Sequence, residues 1–379
     1  MPKLDIVKTA TVRQSARVMQ LNGIFDIPPA ERAESRWEID FPYDDEPWKI
    51  GLIVGPSGSG KSTVAREAFQ QAKHVCANTG YDWPEGAAIV DGFNQGLSIK
   101  AITGALSSVG FSTPPAWLRP YGCLSTGEQF RATMARALTD TAALVVMDEF
   151  TSVVDRTVAQ IGSAAIAKAV RKHHEKQVVA VTCHHDVEPW LQPDWILEMP
   201  SGKFTRRALL QRPSIELEIM RCHHKTWDIF RHHHYLDTKL NKAAVCFAAS
   251  LDGRPVAFTA VLSFPHKSGS WWREHRTVCA PDYQGVGIGN RLSEYVASLF
   301  VATGKRFRSV TGNPAMVEYR RRSPLWRQEQ QMKLPCNRKR ASIVTNAHIA
   351  KSMATSRYTA SFTYVGEPRI KEARAFGLL

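Results

Sequence analysis

The stretch KIGLIVGPSGSGKSTVAREAF, residues 49–69, constrains the chain more than any other. An apolar run, Ile50–Val54, meets a glycine-rich turn and then a pattern of helical spacing. The spacing Gly55-x4-Gly60-Lys61-Ser62 in that strand–loop–helix setting is a P-loop. Gly55, Gly58 and Gly60 let backbone N–H groups curl around phosphates, and the following helix N-terminus adds a favourable dipole. Lys61 is placed to reach the β- and γ-phosphates, the Ser62 hydroxyl to bind Mg²⁺, and Thr63 to complete the ATP-binding turn.

A second apolar strand, Leu144–Met147, ends in Asp148-Glu149 within ALVVMDEFTSVVD. A carboxylate at a strand's carboxyl end holds the Mg²⁺ shell, and its neighbour polarises the attacking water. Asp148 takes the first role and Glu149 the second.

With both motifs in place, residues 10–205 resemble ABC-type ATPases. LSTGEQFRATMARAL matches the family signature and its helix, with Ser125 and Gly127 as phosphate contacts; Thr126 stands at the family's second glycine position. DEFTSVVD is similar to the Walker B segment and D-loop, Asp155 being the D-loop aspartate. VVAVTCHHDV resembles the strand that ends in the switch histidine. His184 or His185 fills that role, and His184 is preferred because it directly ends the strand pattern. The resemblance implies ATP sites shared head-to-tail between two copies, hence a homodimer. Ser125 follows Lys61 by only 64 positions, so the segment that meets membrane subunits in transporters looks trimmed. Gln95 is the candidate for the Q-loop, and no adenine-stacking aromatic is identified.

No apolar run approaches the roughly 18 residues of a membrane helix. The first residues lack the apolar core of a signal peptide, and the seven cysteines form no C-x-x-C pair. A cytoplasmic protein with reduced thiols and no membrane partner is expected. Charge divides the chain unevenly. Residues 1–212 hold 23 Lys+Arg against 23 Asp+Glu; residues 213–379 hold 26 against 12, which accounts for the whole net +14. Turn and breaker residues cluster in LEMPSGKFTRRALLQRPS, so a domain boundary is expected near 212, with domains 1–212 and 213–379.

Beyond that boundary, AAVCFAASLDGRPVAFTAVLSF reads as two strands around the Asp252-Gly253 turn. A third strand is expected in HRTVCAP (275–281), a glycine-rich turn at Gln284–Gly289, then a helix carrying Leu292, Val296, Leu299 and Phe300. This arrangement resembles the GNAT acetyltransferases, whose acetyl-coenzyme A motif is matched by Gln284, Gly287 and Gly289, with Gly285 between. The resemblance implies that the strand around Val278 holds the pantetheine arm. It offers Tyr319, His275 and Glu274 as acid/base groups. The implied fold class is α/β: an ABC-type P-loop ATPase domain followed by a GNAT-like mixed α/β domain. HHYL (233–236) and HRTVCAPDYQGVGIG are also similar to the Mom family of phage DNA-modification proteins.

Two further stretches stand out. MRCHHKTWDIFRHHHYLD carries five histidines and Cys222, a set able to bind a metal or surround a substrate. YRRRSPLWRQEQQMKLPCNRKR (319–340) carries eight Lys/Arg against one Glu, with Trp326 and Tyr319 interleaved, the pattern of a nucleic-acid surface. The expected function is therefore an ATP-driven acyltransferase acting on nucleic acid, DNA above all. A clamp with a docking module, or a tRNA- or protein-directed acetyltransferase, are the alternatives.

Overall fold

The computed structural model describes residues 3–29, 32–77, 80–172, 175–206, 212–234, 238–266, 269–333 and 359–379. Its elements begin with β1 (Lys3–Thr11), α1 (Ala16–Phe25), β2 (Arg32–Asp40), β3 (Ile50–Val54), α2 (Lys61–Ala68) and β4 (Lys73–Cys76). Then come α3 (Ile99–Ser108), α4 (Pro114–Trp117), α5 (Thr126–Leu138), β5 (Leu144–Asp148), α6 (Arg156–Lys172) and β6 (Gln177–Thr182). They continue with α7 (Glu188–Leu191), β7 (Trp195–Glu198), β8 (Lys203–Arg206), β9 (Glu218–Cys222), α8 (Trp227–Phe230) and β10 (Val245–Leu251). The last are β11 (Arg254–His266), β12 (Gly269–Cys279), α9 (Ile288–Val301), β13 (Phe307–Thr311), α10 (Pro314–Arg322), β14 (Trp326–Lys333), β15 (Thr359–Tyr364) and α11 (Ile370–Ala375).

Two compact units result. The first is Met1–Tyr81, Asp140–Asp155 and Val170–Arg212; the second is Asp82–Thr139, Arg156–Ala169 and Pro213–Leu379. The helical segment that bears the signature thus belongs to the same compact unit as the C-terminal sheet.

The first unit is built on a six-stranded sheet of order β4-β5-β6-β3-β7-β8. All neighbours are parallel except β8, which pairs antiparallel on the edge. Its central strands are near-continuous apolar runs, as burial on both faces requires. All five residues of β3 are buried. Gly51 has a steric reason to be there: a Cβ would lie 2.0 Å from the Trp195 ring. Phe41, Trp48, Phe69 and Trp195 pack edge-on or stacked in this core. Parallel strands deliver the carboxyl ends of β3, β5 and β6 to one side, where ligands bind in such sheets.

The second unit carries a seven-stranded sheet of order β14-β15-β13-β12-β11-β10-β9. β10 and β11 form the hairpin read from Asp252-Gly253, both of which adopt positive φ (50° and 74°), as a two-residue turn demands. β12 starts at Gly269, earlier than the expected 275. β12 and β13 are parallel and pair only at Trp272↔Phe307 and Arg273↔Arg308, then diverge. A register shift places His275 as the extra residue between Glu274 and Arg276. Leu292, Val296, Leu299 and Phe300 of α9 are fully buried against Phe247, Val261, Phe307 and Phe362.

Candidate functional site

The P-loop of the first unit has the backbone the glycines were read for. Gly58 and Gly60 adopt φ 79° and 92°. At Gly55 a Cβ would meet the Met199 carbonyl at 2.2 Å, and at Gly60 the Trp37 ring at 2.5 Å. Trp37 also donates from Nε1 to the Ser59 carbonyl (3.1 Å), so it braces the loop. At Gly58 no atom lies within 4 Å of a built Cβ, which leaves the cradle open. The Lys61 ammonium folds back on the Pro56 carbonyl at 2.7 Å, and Thr63 accepts from Lys8 at 3.4 Å.

Ser62 donates to Asp148 Oδ1 at 2.9 Å, so a hydroxyl and a carboxylate oxygen stand together at the carboxyl ends of β3 and β5. That pair of hard oxygen donors fits Mg²⁺. Asp148 also accepts from the Glu149 N–H at 3.0 Å. Glu149 and Thr151 adopt φ 54° and 68°, non-glycine residues in the left-handed region two positions apart, a concentration of strain typical of functional turns. Thr151 Oγ1 lies 3.4 Å from His184 Nδ1, and Ser152 donates to Glu149 Oε2 at 2.6 Å. Ser62, Asp148, Glu149 and His184 are therefore tied into one hydrogen-bonded region, with His184 just beyond β6 and His185 opening the next turn. Asp155 is exposed at the end of that segment.

In the second unit Ser125 caps α5 in a capping box, its Oγ accepting from the Glu128 N–H and its own N–H donating to the Glu128 carboxylate. Ser125 is exposed and Gly127 buried. A Cβ on Gly127 would come within 3.2 Å of an Asp282 carboxylate oxygen.

The expected coenzyme turn begins α9. Gly287 is the N-cap of this 14-residue helix at φ 99°, with no atom within 4 Å of a built Cβ. Gly289 lies against Cys279, whose thiol burial pushes up to about 12. Among the described residues β12 pairs with β13 at two positions only, so beyond Arg273 its outer amides face the gap. Ala280 N–H bonds the Val256 carbonyl, so Val278 turns its amide toward β11 while Thr277 and Cys279 turn theirs away. The amides offered to an extended ligand are thus those flanking Val278.

Gln284 and Gly285 are used differently from the expectation. The Gln284 amide accepts from the Ser112 N–H (2.8 Å) and donates to the Cys279 carbonyl (2.9 Å) and to Thr113 Oγ1 (3.3 Å). Gly285 packs on Gly110 and Ala165, where a Cβ would come within 2.8 Å of both. Arg131 of the signature helix seals this junction. Only 2% exposed, it donates to the carbonyls of Val109, Gln284 and Asp282 at 2.8–3.0 Å. Burial lowers its guanidinium to about 10, still fully charged at neutral pH. No sequence pattern announced this residue.

Two of the three acid/base candidates are committed elsewhere. Glu274 is buried in the gap between β12 and β13. It accepts from Thr277 and Ser293 (2.6 Å each) and from Ser309, and pairs with Arg320 at 2.9 Å. Burial raises its carboxyl, but Arg320 and the three hydroxyls outweigh that and hold it below the usual carboxylate range. A carboxylate so saturated has no lone pair free to take a substrate proton. Tyr319 donates to Glu294 at 3.0 Å; burial, then the Glu294 charge, push its phenol up to about 12. His275, at the bulge, is partly exposed and accepts at Nε2 from the Asn241 N–H (3.4 Å).

The basic stretch divides as well. Arg320 is internal, its guanidinium 4.3 Å over the Trp326 ring, and Trp326 is itself buried and bonded to Glu294. Neither is available to phosphate or base. Arg322 pairs with Glu318, and residues 334–340 lie outside the described residues. In the histidine-rich stretch the His223 and His224 rings lie 4.0 Å apart. Among the described residues no group of three His, Cys, Asp or Glu could hold a metal. Tyr235 and Leu236 of HHYL lie outside the described residues.

Residues 212–319 match the family model of the acetyltransferase (GNAT) family. The match ends within α10. A mostly parallel six-stranded sheet bearing a P-loop is thus joined by a mixed α/β region that matches the GNAT family model. None of the curated proteins matches the chain. Among solved structures, the dimeric ATP-binding cassette MJ0796 in a post-hydrolysis state with ADP and phosphate is 16% identical, covering 54% of this chain and 100% of its own, at TM-score 0.38. CbiO1 from Clostridium perfringens, part of an ABC transporter complex, is 19% identical, covering 45% and 85%, at TM-score 0.34. No described helix is long and apolar enough to cross a membrane.

Proposed function

We propose that the chain is an ATP-binding and hydrolysing engine coupled to an acyltransferase that acts on nucleic acid, with bases of DNA as the acceptors. The observation that carries this reading is the second cradle. The gap between β12 and β13 opens beside the bare, left-handed Gly287 at the start of α9, where main-chain amides and a helix dipole suit a pyrophosphate. Acetyl-coenzyme A supplies an activated thioester when bound. Thr277 and Cys279 hold its arm by strand pairing, and the α9 amides hold its phosphates. Glu274 is saturated and Tyr319 donates to Glu294; His275, at the β12 bulge, is assigned to take a proton from an attacking amine. Ser62 and Asp148 hold Mg²⁺, Glu149 orients the attacking water and His184 steadies the γ-phosphate. Ser125, Gly127 and Asp155 complete the site of a second copy, so the protein works as a cytoplasmic homodimer.

Two experiments test this. Glu149→Gln is expected to lower ATP turnover about a hundredfold while leaving ATP binding intact; an unchanged rate removes Glu149 from the chemistry. Gly287→Glu, which puts a charge and a side chain in the cradle, is expected to weaken acetyl-coenzyme A binding at least about tenfold by calorimetry. It is also expected to abolish any base adduct seen by mass spectrometry of DNA from expressing cells. A wild-type protein that binds no acyl-coenzyme A defeats the catalytic reading. The engagement of Glu274 and Tyr319 favours, in that event, a nucleic-acid clamp with a docking module.

A further inference from the structure

The strand register lines up cations across one face of the second unit's sheet. Arg273 of β12 stands directly beside Arg308 of β13, which stands beside Thr363 of β15, which stands beside Arg327 of β14. Residues paired in register share a face. This is the face opposite α9, since Trp272, Phe307, Phe362 and Trp326 point into the core on the α9 side. Arg306, two residues before Arg308, lies over the Trp271 ring at 5.4 Å, and Arg273 over Phe264 at 5.5 Å. The carboxylate nearby is Glu329, already held by Arg327 at 3.0 Å.

The row is short of anions. Among the described residues Arg273 makes no hydrogen bond and no ion pair. Its Nε–H, like that of Arg308, is shut from solvent without an acceptor. Arg308 donates once, to Ser361 Oγ at 3.2 Å. Burial first, then the like charge of Arg308, lower the Arg273 guanidinium from its ordinary value. Two adjacent, half-buried cations that share the field of one carboxylate, Glu329, which Arg327 already pairs, are a standing cost to the fold. Such an arrangement is relieved when an anion binds between them.

We infer that this arginine row is the docking surface for the sugar–phosphate backbone of the nucleic-acid acceptor, in place of the Arg320–Arg322 stretch that the sequence pointed to. The inference rests on the proposed function for its choice of polyanion. Three strand steps of about 4.8 Å put roughly 14 Å between the ends of the row. A line of that length, rather than a closed pocket, matches a repeating phosphate spaced ~3.4 Å along each strand. Guanidinium forks suit phosphate oxygens two at a time.

The test uses full-length protein and labelled single-stranded, duplex and transfer-RNA probes over a range of salt. Arg273→Met with Arg308→Met is expected to weaken binding at least about tenfold at moderate salt and to flatten the log–log salt slope by about 1.5. The melting temperature is expected to stay level or rise, because the mutually repelling charges are gone. Arg321→Met, as a control on the exposed side of α10, is expected to leave the slope alone. If wild-type protein binds no nucleic acid, the proposed acceptor falls together with this surface. If it binds and the double variant keeps the wild-type slope, the surface alone is refuted. A lowered melting temperature with unchanged binding makes the arginines structural, and competition by poly-glutamate as effective as by nucleic acid makes the face a general anion site; either outcome overturns the inference.

Discussion

Glu274→Gln is expected to destabilise the second unit by about 3–5 kcal/mol. The substitution keeps the shape and removes the charge. Arg320, whose side chain is 1% exposed, then sits inside the fold with no counter-ion. The glutamine amide must also present N–H groups to the Ser293, Ser309 and Thr277 hydroxyls that donate to the carboxylate in the wild type. The acid limb of stability should change with it. The folded-state carboxyl lies below its ordinary value. Its contribution is therefore in force above the unfolded carboxylate range and fades as pH falls through the folded value. Denaturant unfolding at a series of pH values should show a flatter acid limb in the variant. The paired change Glu274→Leu with Arg320→Met, which removes both charges, should recover most of the loss. If Glu274→Gln alone costs less than about 1 kcal/mol, the pair does not anchor the gap between β12 and β13.

The P-loop and the Asp148-Glu149 turn were legible in sequence because the chemistry is local. Each motif lies within a few residues, and its glycines answer to backbone geometry that a single strand–turn–helix fixes. The β10–β11 hairpin was legible for the same reason. The Gln284–Gly289 turn was legible only in part. Gly287 takes the place its spacing predicts, the left-handed N-cap of α9, but Gln284 and Gly285 answer to Gly110, Ser112 and Thr113, more than 170 positions away. No local pattern encodes that packing. The basic stretch was misread because a charge count ignores direction. Val317 and Arg320 are three apart on α10 and share its buried face, so Arg320 turns inward while its neighbours Arg321 and Arg322 are exposed. Strand alternation held a similar clue: Trp272 and Glu274 are two apart on the core face of β12, which marks Glu274 as a buried carboxylate in need of a cation.

Arg131→Met is expected to cost the second unit about 3 kcal/mol and to loosen two segments at once. Methionine fills much of the volume but leaves the carbonyls of Val109, Asp282 and Gln284 without the donor they share. Each buried acceptor so abandoned carries a penalty of about 1–3 kcal/mol, softened where water can enter. Lysine should restore little, because one ammonium on a flexible stem cannot reproduce a planar fork reaching three carbonyls. Hydrogen exchange separates this anchoring role from a general loss of stability. Amides of 109–113 and 282–287 should exchange faster than those of β10 and β11 under conditions where the variant remains folded. Uniform acceleration across the unit would mean that Arg131 is simply part of the core. Selective acceleration would mean that the helix bearing Ser125 and Gly127 is held to the Asp282–Gly287 turn chiefly by one buried cation. On the proposed function, acetyl-coenzyme A affinity should then fall with it, since Gly287 depends on the Asp282–Gly285 segment for its position.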